Sequence, residues 1–266
     1  MYTIATLEQV QQYLGITSEV EDVRLGKSLR AASAQIERLT QRYYTPRWAT
    51  VYHDVRVQSG VELFLNDDLL ELTALEDASG LIPLEDVLPP LEPGPVGLLA
   101  LRAGRTFTWR DSPERAVAVT GVWGWHDRWS EAWRDSGDAL RATLDTSSQT
   151  VSVASITAPD TAGEVPRFQV GQLWRVDAEA MRVIGVTPNE QGADSVQVLR
   201  GVSGTTATSH ALNAPIVIYQ PPQEVVQLVV RWAAWLYREP DYAEERPIPA
   251  DLMTALLPLR RLTVLA

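Results

Sequence analysis

The chain has 266 residues, 45% hydrophobic and 21% charged, an ordinary globular balance that can fill one large domain or two modest ones. It contains no cysteine, which excludes a disulfide framework, thiolate metal sites and cysteine nucleophiles. Its formal charge of −11, from 34 acidic against 23 basic residues, repels phosphate backbones and argues against tight DNA binding.

The opening residues Met1–Val10 lack both a basic and an apolar leader region, so no secretory signal is expected. No apolar run reaches the roughly 18 residues needed to span a bilayer, so a soluble protein without membrane contact is expected. Thr6-Leu7-Glu8-Gln9 has capping-box form and opens a short helix that Gly15 stops. A second such box, Ser18-Glu19-Val20-Glu21, opens a longer helix. Its apolar positions Leu25, Leu29, Ala32, Ile36, Leu39 and Tyr43 alternate steps of four and three, a narrow seam suited to packing on another helix. Thr45-Pro46 ends the helical stretch.

From residue 48 the period changes to two. Val51, Val55 and Val57 alternate with polar residues, Gln58-Ser59-Gly60 turns the chain, and Val61, Leu63 and Leu65 alternate again, which reads as a hairpin. Further strand-like runs follow at 69–75, 98–102, 106–109 and 116–123. The proline-rich stretch 88–95 between them can be neither helix nor paired strand. Residues 126–150 are polar and punctuated and read as loop. A second β-rich stretch then runs from Thr150 to Tyr219, with short apolar runs separated by glycine and asparagine, as in a small barrel or sandwich. After Pro221-Pro222 the segment Val225–Tyr237 is apolar nearly all round and reads as a helix buried on several sides. Asp251 caps a last short helix with Leu252, Leu256 and Leu257. Pro258 interrupts it, and Arg260 to Leu265 follow as an extended tail.

Residue types that carry chemistry are scattered. His53, His126 and His210 lie on different elements without metal-ligand spacing. The neighbours His126 and Asp127 would point to opposite faces of a strand. Asp67-Asp68 and Glu85-Asp86 read as solvated loop carboxylates, although a hard cation would accept such pairs. Gly201-Val202-Ser203-Gly204 lacks the Gly-x-Ser-x-Gly spacing of a nucleophile elbow and reads as a turn. Trp123, Trp125, Trp129 and Trp133 are among nine tryptophans, a number that raises the expectation of an interaction protein. A carbohydrate-binding or carbohydrate-active reading would use them with the carboxylates; interleaved acidic residues argue against a nucleic-acid platform. No catalytic, metal or cofactor site is expected.

Three phrases, in this order, resemble the head–tail connector (adaptor) family of tailed bacteriophages. The stretch from Thr6-Leu7-Glu8-Gln9-Val10 to Ile36-Glu37-Arg38-Leu39-Thr40 is similar to that family's first helices, with Thr40-Gln41-Arg42 where a Thr-Gly-Arg phrase is usual. Val117-Ala118-Val119-Thr120-Gly121-Val122-Trp123-Gly124-Trp125 resembles its glycine-aromatic strand. Pro222 to Arg238, ending Ala234-Trp235-Leu236-Tyr237-Arg238, resembles its last long helix, and Leu256-Leu257-Pro258-Leu259-Arg260 its C-terminal phrase. The stretch between departs from the minimal family pattern. Val170 to Asp177 and Val198 to Thr206, with Ala207, His210 and Ala211, resemble a small β module of phage virion proteins, in which Arg200-Gly201 and Gly204-Thr205 hold a tight turn oriented by Asp177.

The resemblance implies an α+β fold: a helical connector core, made of N-terminal helices plus a long C-terminal helix, with a small β-sheet and an inserted all-β barrel- or sandwich-like module. Residues 1–128 and 220–266 would form the core and 129–219 the insert. It implies a structural virion protein, not an enzyme, made in the host cytoplasm and located at the neck. There it would form a ring, usually a dodecamer, that attaches to the portal protein and the next neck or tail protein. DNA would pass through without sequence-specific binding. Subunit contacts would involve Leu25, Leu29, Ile36, Val225, Val229, Trp232, Trp235 and Leu236, and a portal-contacting tail Leu257, Arg260, Arg261, Leu262 and Val264. Another tail or baseplate component is the alternative.

Overall fold

The period-two stretch that starts near residue 48 becomes strand β1 (Arg47–His53), first of five in an antiparallel sheet with β2 (Glu62–Asp77), β3 (Gly80–Ile82), β4 (Val96–Ala100) and β5 (Val117–Trp123). The strand order is β1-β5-β2-β3, with β4 paired to the first half of β2. The expected hairpin of residues 51–65 is therefore replaced: β1 pairs with β5 along its length, and β2 pairs with β3, β4 and β5. The turn at Gln58-Ser59 lies outside the described residues, which in this computed structural model are 3–55, 60–90, 94–238 and 248–261.

The two apolar runs expected at 61–65 and 69–75 are one bent strand, β2, whose pairing with β5 shifts register between Leu69 and Glu71 and again between Leu72 and Ala74. Opposite those bulges sits Gly121, where a Cβ would fall 2.1 Å from the Glu71 carbonyl oxygen. No side chain can stand there, which gives the glycine of the Gly-Val-Trp phrase a packing reason. Leu63, Leu69, Leu75, Phe107, Val117, Val119 and Trp123 close a core under this sheet. All of it lies within Arg42–Ser130, one of two compact units in the chain.

The other unit is Met1–Gln41 with Glu131–Ala266. Its sheet has six antiparallel strands, β6 (Trp133–Ala139), β7 (Thr150–Val153), β8 (Leu173–Val176), β9 (Glu179–Thr187), β10 (Asp194–Leu199) and β11 (Pro215–Tyr219), in the order β6-β11-β8-β9-β10-β7. Beyond β6, the Arg141 N–H donates to the Ser152 carbonyl of β7 at 2.9 Å, so the edge strands meet and the sheet curls around its own core. Trp174, Phe168, Met181, Val183, Val196, Val198, Ile216 and Ile218 fill that core.

Four helices complete this unit: α1 (Leu7–Leu14), α2 (Asp22–Thr40), α3 (Gln223–Arg238) and α4 (Ala250–Leu256). The capping box at Thr6 and Gln9 forms, and Gly15 ends α1 in the left-handed region at φ 70°. The second box does not form. Residues Glu19–Glu21 make a 3-10 turn, and Glu21 begins α2 without a side-chain cap. The seam Leu25, Leu29, Ala32, Ile36 is buried and packs on α3, but α2 stops at Gln41 (φ 55°), so Tyr43 falls outside the helix and is exposed.

The expected helical core with a long C-terminal helix is corrected. Among the described residues the chain is mostly β, two antiparallel sheets with 11 strands, and the four α-helices are short, α3 having 16 residues and α4 only 7. The strongest periodic segments in the sequence are the helical ones, because helix periodicity persists over many residues. Most of the strands are short and carry less pattern each, although together they hold more residues than the helices.

Candidate functional site

Strands β8 and β9 are joined by Asp177-Ala178, with Asp177 left-handed at φ 51°. This tight reversal aims Glu179 inward beside Met181 and Val183, on a strand whose first five residues are all buried. An isolated carboxylate there would be costly. Glu179 is instead surrounded. Its Oε1 accepts from Arg200 Nε at 2.6 Å and from the Gly201 N–H at 2.9 Å. Its Oε2 accepts from Arg200 Nη2 at 2.7 Å, the Thr208 N–H at 2.9 Å and His210 Nε2 at 2.8 Å. Burial pushes this carboxyl up, but the bidentate guanidinium, the Thr208 and Gly201 N–H groups and His210 outweigh it and hold it at about 2.

Arg200 spends its remaining donors on the carbonyls of Asp145, Ser148 and Thr208, at 2.8, 2.9 and 2.6 Å. His210 has no exposed side-chain surface, and its Nδ1 faces Asp177 Oδ2 at 2.7 Å. A carboxylate oxygen thus stands at each ring nitrogen of His210, from Asp177 at Nδ1 and from Glu179 at Nε2. Thr205 closes the turn: its hydroxyl donates to the Val202 carbonyl at 2.8 Å and accepts the Ala180 N–H at 3.0 Å. Gly201 sits at φ 58°, and a Cβ there would come within 2.9 Å of the Ala207 nitrogen. Ser203 is also left-handed, at φ 59°.

The phrase from Arg200 to His210 is thus a knot that gathers three loops, 145–148, 177–179 and 200–210, around one carboxylate. Glu179, its centre, is missed by the sequence reading, which assigns the orienting role to Asp177. Asp177 holds His210, while Glu179 holds the turn. The signal was an acidic residue in phase with Met181 and Val183 on an inward strand face. Chemically the site is saturated: both Glu179 oxygens and Arg200 are fully committed, and Ser203 belongs to the turn.

Other buried carboxylates of the same unit follow the same rule. Asp138 accepts the N–H groups of Ala139 and Ala154 and pairs with Arg167 at 2.9 Å. Asp160 accepts from Ala162 and Glu164 and pairs with Arg134. Asp194 accepts from Ile156 and Asn189, both at 2.6 Å. In the unit Arg42–Ser130, Asp77 ties Ser79 to Thr108, each N–H at 2.8 Å.

The remaining candidates do not assemble into a site. His126 Nδ1 accepts the Arg128 N–H at 2.9 Å and lies 3.4 Å from Asp127 Oδ1, so these two neighbours do not point to opposite faces as expected. Asp67 and Asp68 are paired with Arg47 and Arg42 at 3.1 and 3.5 Å, and Asp86 with Arg105 at 2.8 Å. The tryptophans serve separate contacts: Trp123 stacks on His53, Trp125 meets Tyr44, Trp129 meets His126, and Trp133 packs on Tyr219. Among the described residues no group of three or more His, Asp or Glu is placed to hold a metal, and no helix is long and apolar enough to cross a membrane.

Of the expected interface residues, Leu25, Leu29, Ile36, Val225, Val229, Trp232 and Leu236 are buried in the chain's own helical layer, and Trp235 is half-buried. Trp232 also donates to Gln35 at 2.7 Å. Any subunit contact along these helices has to run through their exposed residues. Leu257 is exposed. Pro258 opens a 3-10 turn, Leu257–Leu259, and Arg260 and Arg261 fold back onto the end of α2. Arg260 Nε donates to the Leu39 carbonyl at 3.2 Å and the Arg261 N–H to that of Thr40 at 2.8 Å. These cap α2 with cationic residues at its negative end, so the stretch up to Arg261 is not an extended tail. Leu262 and Val264 lie outside the described residues. No family model, curated protein or solved structure matches the chain.

Proposed function

We propose that the chain is a structural subunit of a tailed-phage virion, a non-enzymatic ring component of the neck that attaches to the portal and lets DNA pass. The observation that carries the structural half is the use made of buried charge. Glu179, Asp138 and Asp160 spend their oxygens on loop N–H groups and arginines, and Asp194 on loop N–H groups, which fixes loops and commits these four carboxylates to structure. Such cross-tying suits a part that must hold its shape without disulfides. The neck location rests on the resemblance of the Thr6–Thr40, Val117–Trp125 and Pro222–Arg238 phrases. A surface of net charge −11 supports the DNA passage, since like charge lets a duplex slide without sticking.

The deciding experiment is a density map of the intact particle at residue resolution. A ring of this chain between capsid and tail is the expected result. Finding it at the distal tail, or absent from the particle, overturns the neck assignment. Turnover of a glycan substrate by purified protein, abolished by a single carboxylate substitution, overturns the non-enzymatic half.

A further inference from the structure

Helix α2 buries one face and leaves the other open, and the open face is basic in an acidic protein. Lys27 and Arg38 are exposed and Arg30 half-exposed, and these three make no ion pair among the described residues. Arg24 is held beside Glu21 and the Tyr237 carbonyl. Between the cations lie the small residues Ala31 and Ala34, and at the N-terminal end Val20 and Val23 are 86% and 71% exposed. Lys27 and Arg38 are eleven residues apart, roughly 16 Å along a helix, and they share one face. The surface is therefore a smooth apolar ridge flanked by cations, which fits an acidic, partly apolar counter-surface.

The chain carries such a counter-surface in its other unit. The β2–β3 turn and the segment 109–116 enclose an open cleft of about 620 Å³. Glu76, Asp111 and Glu114 are exposed on its walls, Trp109 is a half-buried aromatic surface, and Arg110 is the cation among its lining residues. A lysine or arginine entering it would meet carboxylates and an aromatic face together.

We infer that the exposed face of α2 docks against the Glu76–Asp111–Glu114 cleft of a second copy of this chain. The contact is head-to-tail, because it joins two different surfaces, and each copy keeps one of each free for the next neighbour. Eleven net negative charges per copy oppose association, and placing the positive face of one copy on the acidic cleft of the next offsets that repulsion where the surfaces meet. The inference deepens the reading of the chain as a ring subunit by naming its self-contact.

Lys27 is the only lysine in the chain, which gives a direct test. A mixture of ¹⁴N- and ¹⁵N-labelled full-length protein, at the highest soluble concentration, is treated with a zero-length carbodiimide and mapped by mass spectrometry. Mixed-isotope links from Lys27 to Glu76, Asp111 or Glu114 are expected. The double reversal Lys27→Glu/Arg38→Glu lowers association in sedimentation by about tenfold, with an unchanged circular dichroism spectrum. Adding Glu76→Lys/Glu114→Lys restores it. Links from Lys27 only within one chain, or only to other carboxylates, overturn the inference, as does sedimentation indifferent to the reversal. Loss of duplex-DNA binding in the reversal variant, with association unchanged, would make α2 a nucleic-acid surface and also overturn it. A neck map showing the ring with α2 facing away from its neighbour sinks this contact and leaves the ring standing. A confirmed contact in a protein found outside the neck does the reverse.

Discussion

Glu179 accepts five hydrogen bonds, from Arg200, Gly201, Thr208 and His210. Removing it with Glu179→Ala strips Arg200 and His210 of their shared anion and leaves the Gly201 and Thr208 N–H groups without acceptors inside the protein. Breaking one side of a buried charge network costs about 3–5 kcal/mol, so this variant should unfold at markedly lower urea, and Glu179→Gln should lie between it and the parent. The same residue sets part of the acid limb. Its folded value, about 2, is below its ordinary 4.5, so its stabilisation is fully present above pH 4.5 and is lost as the pH falls from there towards 2. A urea-midpoint profile should therefore drop through that window in the parent and be flatter in Glu179→Gln. Glu8 acts in the opposite sense: burial pushes its carboxyl up, so the folded chain takes up that proton more readily and gains stability as acid is added. The two groups are separable by examining Glu8→Gln alone, whose stability at neutral pH should equal or exceed the parent's.

At the scale of elements, local chemistry was legible where one residue type does one job. Thr6 is the best case: its hydroxyl accepts the Gln9 N–H at 3.3 Å, Gln9 returns the bond to the Thr6 N–H at 2.9 Å, and the same hydroxyl donates to Gln169 at 2.7 Å. Thr6→Ala should cost about 1–2 kcal/mol, with Thr6→Ser recovering most of it, read as a shift in thermal midpoint. The sequence misled where partners are distant. Strand β6 looked like loop because its inward positions are buried polar residues: Ser136, satisfied by the backbone of Asp138, and Asp138, satisfied by Arg167 and the N–H groups of residues 154 and 155. Alternation is present there, but not of hydrophobicity. Likewise β1 and β2 carried hairpin spacing yet pair through β5, a choice made by a segment some seventy residues on. The knot shows both sides: Arg200, Gly201 and His210 stood out within a phrase, while the carboxylate that binds them sits twenty-one residues upstream of Arg200.

For the molecule as a whole, the chain passes between its two units twice, at residues 41–42 and 130–131. The unit Arg42–Ser130 has its own sheet and its own core, and its ends are tied together: the Trp125 N–H donates to the Tyr43 carbonyl at 2.7 Å, and the Gly124 N–H to that of Asp68 at 2.9 Å. At roughly 90 residues it exceeds the size below which a single core rarely suffices. Expressed alone, residues 42–130 should give a β-type circular dichroism spectrum and one cooperative urea transition. Trp123, stacked on His53 and fully buried, should report the same midpoint by fluorescence as the backbone does. The complementary chain, with 42–130 replaced by a short glycine-serine linker, keeps α1 to α4, the six-stranded sheet and the Glu179 knot. It should retain the acid-limb drop between pH 4.5 and 2. If neither piece unfolds cooperatively, the two cores are not independent, and stability in this chain is a property of both units together.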